Sequence, residues 1–284
     1  MPARGRGRLT GAGARRGARA VASRAVRPLL PTRANVASLR TRVERARLAA
    51  RAPQARLPRP RILAYHSVGT WQWGVNDVAP ARFRSQIEQA LSLGYRFVPP
   101  ACIADGAGGN GALLAVTFDD GMRSVLDNAA PVLADYGVPW VVFVVTDWAE
   151  HGHPAGRELV LDWPALERVL ALGGTIGSHS VSHPDFGRIS TARAEDELCA
   201  SREAIERSLG VRATEFAIPF GQSTNWSAAA GEAAARAGYT HVYAQSEERR
   251  PTGTIARTFI TRHDTPQVFA AALSGAFDSW EEWH

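Results

Sequence analysis

One domain built as an α/β barrel of about seven parallel strands is the architecture supported by three features of this sequence. Strand-like and helix-like segments alternate from Arg61 to Leu273, a rhythm that calls for parallel strands joined by crossover helices. Ala112 to Phe118 and Trp140 to Thr146 are continuous apolar runs, as in strands buried on both faces. Reactive residues follow such strands directly, Asp119 and Asp120 after Phe118 and His179 after Ser178. The C-terminal mouth of a parallel sheet or barrel is where α/β proteins hold their chemistry. Seven or eight strand–helix units fit a closed barrel better than an open sheet.

Taken in order, Ile62-Leu63-Ala64-Tyr65-His66 reads as the first strand. Pro80 opens an amphipathic helix through Phe83, Ile87, Leu91 and Leu93, stopped by Gly94, because proline suits a first helical turn and glycine an exit. Tyr95 to Val98 is a short strand and Gly106 to Gly111 a loop. After the strand ending at Phe118, Ser124 to Tyr136 reads as a helix closed by Gly137. Trp140 to Thr146 is the next strand, and Trp163-Pro164 starts a helix running to Leu172. Gly174 to Ser178 is a strand leading into His179. Thr191 to Leu209 is the longest helix of the barrel region, ended by Gly210. Glu215 to Phe220, Thr240 to Ala244 and Ile255 to Ile260 are strands, with helices over Trp226 to Ala237 and Pro266 to Leu273.

The net charge of +6 over 284 residues hides two unlike parts. Residues 1–60 carry 16 Arg and one acid, Glu44, whereas residues 61–284 carry 17 Arg and 26 acids. The folded part is therefore acidic, and no specific nucleic-acid binding is expected of it. All 33 basic side chains are Arg, a pattern of coding bias more than of selection for phosphate contacts. Residues 1–60 read from their Arg, Ala, Gly and Pro content as a disordered basic tail, dispensable for chemistry, since such a segment buries too little apolar surface to offset its ordering entropy. A basic helix over residues 34–51, in weak contact with anionic surfaces, is the structure it offers. Residues 61–284 form the catalytic domain in this division. Arg15-Arg16 lacks the apolar run of a twin-arginine leader, and no stretch approaches the ~18 apolar residues of a membrane span. Cytoplasmic location is the default expectation. Cys102 and Cys199 lack metal or redox spacing and read as plain thiols.

Two carboxylates ending a buried strand are not there for packing, because an unpaired buried charge is costly. His179 and His183 stand four apart, so one helical turn would face both imidazoles to the same side, at the mouth that holds Asp119 and Asp120. Neutral imidazoles and one carboxylate make a three-ligand site for a divalent cation, with positions left for water and substrate. The chemistry needs the two acids for different jobs: one completes the ligand set, and the other stays outside it as a base.

Thr117-Phe118-Asp119-Asp120-Gly121 with Ser178-His179-Ser180-Val181-Ser182-His183-Pro184 resembles the polysaccharide deacetylases, the NodB-homology group or carbohydrate esterase family four. Ile62-Leu63-Ala64-Tyr65-His66-Ser67, Pro131 to Gly137 and Phe216-Ala217-Ile218-Pro219-Phe220-Gly221 extend the likeness over about residues 61–265. The resemblance implies a distorted (β/α) barrel and a metal-dependent hydrolase. It would remove acetyl groups from N-acetylated amino sugars of a cell-envelope or extracellular polysaccharide or oligosaccharide, an acetylated glycan cut at a C–N amide bond. Carried over by position, Asp119 is the general base. Asp120, His179 and His183 hold one divalent metal ion, Zn2+ first among the candidates. The backbone N–H of Phe220, after Pro219, helps to stabilise the oxyanion.

Two departures narrow the likeness. The third motif commonly reads Arg-x-Pro-Tyr and here reads Ala217-Ile218-Pro219-Phe220, without the Arg that orients the base, as in the exopolysaccharide and poly-N-acetylglucosamine deacetylases. The fourth motif, with its Asp and Trp, is not found. Ile260-Thr261-Arg262-His263 matches the fifth motif, so His263 is the expected general acid, with His66 and His241 as rivals. Trp71, Trp73 and Trp148 fall in predicted loops and could stack on a sugar. The competing readings are a catalytically silent glycan-binding module, motivated by the absent Arg, and hydrolysis of another C–N amide on the same fold.

Overall fold

Residues 33–52, 59–106, 109 and 111–281 are described by the computed structural model. Helix α1 (Arg33–Arg51) precedes the first barrel strand, β1 (Arg61–Tyr65). A parallel two-stranded ribbon follows, β2 (Ser67–Val68) with β3 (Asp77–Val78), around the 3-10 turns of Trp71–Asn76. Next come α2 (Pro80–Ser92), β4 (Arg96–Phe97), α3 (Pro100–Ala104), β5 (Leu113–Phe118), α4 (Ala130–Asp135), β6 (Trp140–Val144) and α5 (Thr146–His151). The chain continues through α6 (Trp163–Ala171), β7 (Thr175–Ser178), α7 (Thr191–Leu209) and β8 (Glu215–Ala217). It ends with α8 (Ala228–Ala237), β9 (His241–Gln245), β10 (Ile255–Phe259) and α9 (Pro266–Leu273).

Strands β5, β6, β7, β8, β9, β10 and β1 pair in that order, all parallel, and β1 returns to β5, so seven strands close a barrel. β4 adds to the N-terminal end of β5. The closing strand β1 is held on both sides, Ala64 against Thr117 of β5 and against Phe259 of β10. Side chains alternate in and out along each strand. Leu63, Tyr65, Leu114, Val116 and Phe118 face outward into the helix-covered core. Ile62, Ala115, Val141, Phe143, Ala217 and Tyr243 pack with one another inside the barrel. This parity carries Thr117 and then Asp119 into the interior on β5, Gly177 and then His179 on β7, and Ile255 and then Arg257 on β10. Gly177 is required there, because a Cβ would sit 2.5 Å from the Phe143 ring.

The predicted elements recur with local changes. The expected helix from Ser124 opens as a π-helical turn, Val125–Ala129, before α4. Pro131 lacks an N–H and crowds the preceding turn, which a wider turn accommodates. The strand expected to reach Phe220 stops at Ala217, because Pro219 cannot donate to a ladder and Phe220 is left-handed, φ 63°. The cysteines are free, Cys102 half-buried and Cys199 exposed.

Helix α1 departs from the composition-based reading of its segment as an unpacked tail. It packs on α9, and Arg45 is fully buried. The Arg45 guanidinium donates twice to Asp264 at 2.7 Å and to the Phe259 carbonyl at 3.0 Å. It lies over the Phe277 and Trp280 rings, 4.1 and 4.8 Å from their centroids. Mean composition cannot reveal this, because one buried ionic anchor and its aromatic cover outweigh the polarity of the exposed remainder. The other parts of residues 1–60 read as a tail, 1–32 and 53–58, lie outside the described residues. No helix among the described residues is long and apolar enough to cross a membrane.

Candidate metal centre and active site

Asp119 and Asp120 leave β5 at its C-terminal end and point to different jobs. The Asp119 N–H donates to the Tyr65 carbonyl at 2.9 Å, extending the β1 pairing and keeping Asp119 in strand parity. Asp120 is left-handed, φ 69°, which turns its side chain aside. A non-glycine residue pays for that backbone, and such positions cluster at functional sites. His183 (φ 58°) and Phe220 (φ 63°) are left-handed as well.

The expected helical turn over His179 to His183 does not form. Those residues are a loop, and Glu197 of α7 holds it. The buried Glu197 carboxylate accepts from the Val181 N–H at 3.0 Å, the Ser182 N–H at 2.9 Å and the Ser182 hydroxyl at 2.5 Å. The Ser180 hydroxyl oxygen accepts from the His183 N–H at 2.9 Å. Two left-handed residues, Ser180 and His183, bring the second imidazole back beside the first, which a helical turn was expected to do. The rings lie 4.8 Å apart.

Asp120, His179 and His183 offer ligand atoms all within 4.8 Å of one another. Asp120 Oδ1 is 3.6 Å from His179 Nε2 and 3.5 Å from His183 Nε2. Burial pushes His179 down to about 3 and His183 to about 4, so both imidazoles are neutral near pH 7. These contacts are therefore not ion pairs; three donors converge on a shared centre. His179 Nδ1 bonds the Ala217 carbonyl at 2.7 Å, which fixes the tautomer that turns a lone pair of Nε2 to Asp120. The second Asp120 oxygen accepts from Trp73 Nε1 at 3.3 Å. Burial raises the Asp120 carboxyl, and Asp119 adds to the rise. Two imidazole nitrogens and a carboxylate converging on one centre fit a divalent cation.

Asp119 stands outside this set. Both its oxygens are gripped by Arg257 of β10, Nη1 to Oδ1 at 2.6 Å and Nη2 to Oδ2 at 2.7 Å. Arg257 Nη1 also reaches Thr117 Oγ1 at 3.2 Å, and Thr117 donates to the Leu63 carbonyl at 2.8 Å. Burial alone would raise the Asp119 carboxyl; Arg257 first, and then His179, outweigh it and hold the group far below the carboxylate range. Sequence reading found the motif Arg absent and did not find Arg257. The available signal was an Arg at the third position of an otherwise apolar strand, paired in parity with Ile255.

Among the histidines expected near the base, the barrel brings His66 to it. His66 follows β1 directly after Tyr65, whose carbonyl accepts from the Asp119 N–H at 2.9 Å, and packs edge-on against Phe259. Its Nδ1 is buried without a partner among the described residues. His263 faces α1 instead, its Nε2 bonding Ser38 Oγ at 2.9 Å. Burial and Arg262 lower it, with Asp264, Arg42 and Arg45 as its further charged neighbours. His241 pairs with Asp105 at 2.9 Å. At the rim, Trp148 of α5 stacks on His183 with centroids 5.5 Å apart. His153, unmarked in the sequence, packs edge-on against both Trp73 and Trp148. Phe220 closes the other side, 4.6 Å from His183, whereas Trp71 is largely exposed to solvent.

Residues 107–242 match the sequence model of a family described as polysaccharide deacetylase. Among curated proteins, the chain is 28% identical over 34% of its length to YlxY of Bacillus subtilis and 23% identical over 59% of its length to YxkH of the same organism, named as a polysaccharide deacetylase. The chain spans 27% and 58% of the lengths of these relatives. Among solved structures it is similar to the Streptococcus pyogenes deacetylase PplD in complex with acetate, with TM-score 0.64 and 21% identity over 76% of this chain and 99% of that one. It is similar also to IcaB from Ammonifex degensii, with TM-score 0.63 and 22% identity over 77% of this chain and 98% of that one. The chain has the polysaccharide-deacetylase fold.

Proposed function

We propose that the chain is a metal-dependent hydrolase that removes acetyl groups from N-acetylated amino sugars of a cell-envelope or extracellular polysaccharide or oligosaccharide. One observation carries this reading: beside a three-donor set stands a second carboxylate, Asp119, that belongs to no ligand set and is kept ionised by Arg257. A silent glycan-binding module has no use for that arrangement, and the absent third-motif Arg, the reason for considering one, is offset by Arg257.

Asp120, His179 and His183 would hold the divalent cation, with Zn2+ best suited to two imidazoles and a carboxylate. When bound, it supplies Lewis-acid polarisation of the acetyl carbonyl and a more acidic water. Asp119 accepts the proton of the attacking water, and Arg257 fixes the plane of the carboxylate without sharing a proton with it. The backbone N–H of Phe220 assists the developing oxyanion. An oxygen–carbon bond forms, the carbon–nitrogen bond breaks, and the departing amine needs a proton. In this reading His66 gives that proton, in place of His263, because His66 follows the Tyr65 that pairs with Asp119 and has an unpartnered ring nitrogen, whereas His263 bonds Ser38. Trp73, Trp148 and Phe220 form an apolar rim suited to a sugar face.

The test is acetate release from a panel of N- and O-acetylated glycans by the metal-loaded chain. Release from an N-acetylated oligosaccharide, abolished in Asp119→Asn, is the expected result. Release that persists in Asp119→Asn, or its absence across the panel, overturns the reading.

A further inference from the structure

A second groove, of about 800 Å3, opens beside the metal centre. Phe220 is common to both: its ring packs against His183, and it lines the groove. The far wall is α1, where Arg47 and Arg51 lie one turn apart and so face the same way. Arg249, after β9, adds a third guanidinium. All three are exposed, and none pairs with a carboxylate among the described residues. Two of the three acids that line the groove are neutralised by arginine, and the third, Glu281, keeps its charge. Glu44 pairs with Arg40 at 2.7 Å and Asp185 with Arg188 at 3.1 Å. Glu281 accepts from the Ser223 N–H at 2.8 Å and its hydroxyl at 3.0 Å. Three unpartnered guanidiniums against the one carboxylate without a cationic partner, Glu281, leave this groove with an excess of positive charge, in a chain whose residues 61–284 hold 26 acids against 17 Arg.

We infer that this groove binds anionic sugar residues flanking the acetylated one, so that the substrate is an acidic glycan. The inference presupposes the deacetylase reading of the site at Asp119. Guanidinium forks match carboxylate or phosphate oxygens bidentately. A neutral glycan would leave these charges to water, and an amine-bearing one would be repelled by them. Because α1 supplies two of the three, the arginine-rich helix is a wall of the substrate path.

Fluorescence anisotropy of end-labelled hexasaccharides on the full, metal-loaded chain tests this. One probe alternates N-acetylglucosamine with glucuronate, a second joins N-acetylglucosamine units through phosphodiesters, and a third is neutral N-acetylglucosamine hexamer. At least one anionic probe is expected to bind tighter than the neutral one by about tenfold or more, from three exposed charge contacts. The preferred probe identifies carboxylate or phosphate as the source of charge. The preference should shrink with added salt and disappear in Arg47→Gln/Arg51→Gln/Arg249→Gln. Equal binding of neutral and anionic probes overturns the inference, as does a preference that survives the triple substitution. Acetate release in the same samples separates the two readings. Anionic preference without release from any probe removes the deacetylase reading and leaves the anion groove, and release without preference does the reverse.

Discussion

Arg257, on the last strand of the barrel, places its two terminal nitrogens 2.6 and 2.7 Å from the two carboxylate oxygens of Asp119, at the end of β5. Both side chains are buried. Taking two charges out of water is costly, and a pair of this kind is retained where geometry matters more than net stability. Here it defines the plane and the charge of one carboxylate, beside a neighbour whose carboxyl is shifted the opposite way. Adjacent acids pushed apart in this manner take different roles.

Arg257→Lys keeps the charge and loses the fork. Turnover is expected to fall by about 10-fold or more, because orientation of the base is lost, with metal content unchanged. Arg257→Met removes the charge. Since Arg257 holds the Asp119 carboxyl down, the acid limb of the pH–rate profile should move to higher pH. An unmoved limb in a folded Arg257→Met protein would show that Asp119 is not the titrating base.

Metal binding should depend on His179 and His183, and so should the acid stability of the metal-free chain. Their folded values, about 3 and about 4, lie below the ordinary 6.5, so the unfolded chain binds more protons across that interval. Stability from these groups is complete above pH 6.5 and is lost as pH falls toward 4. The melting temperature of metal-free wild type should drop between pH 7 and 5, with a shallower drop in His179→Gln/His183→Gln. Elemental analysis of His179→Ala should find little metal; wild-type content there would refute the ligand set.

His66→Ala should lower amide turnover by about 10²–10⁴-fold, the usual loss for a general acid, while metal content stays intact. An ester substrate should suffer less, since its leaving group needs less protonation. His263→Ala should retain most activity, because its ring bonds Ser38. The reverse outcome would return the acid to His263.

Arg45→Ala should destabilise the chain by about 3–5 kcal/mol, the cost of leaving a buried partner charge uncompensated, since Arg45 and Asp264 are both 0% exposed. A truncated chain starting at Arg59 should melt early for the same reason. Thermal denaturation measures both, and wild-type melting of either would mean that α1 does not anchor the barrel.

Periodicity made most of the barrel legible: the runs ending at Phe118 and Ser178 and the helix from Pro80 all stand where apolar spacing and their stops put them. A site of two acids and two histidines could be read because both pairs follow strand ends, while the choice of Asp120 over Asp119 as the ligand came from the family resemblance. What could not be read depends on contacts between distant strands. The Arg257–Asp119 pair joins residues 138 apart through parity and barrel closure. The anchoring of the His183 loop by Glu197 rests on left-handed residues that are not glycine, which no sequence signal marks. The α1 anchor was hidden because average polarity described the helix and a single arginine decides its fate.

Barrel closure also orders the assembly of the candidate site in time. All three residues of the donor set have been synthesised once His183 is in the chain, long before β10 emerges. The base waits without its counter-charge until the strand bearing Arg257 slots in beside β1 and seals the ring. The ligand loop likewise waits for Glu197 of α7 and the Ala217 carbonyl of β8, which hold it, so the two halves of the site are finished by different, successive parts of the chain.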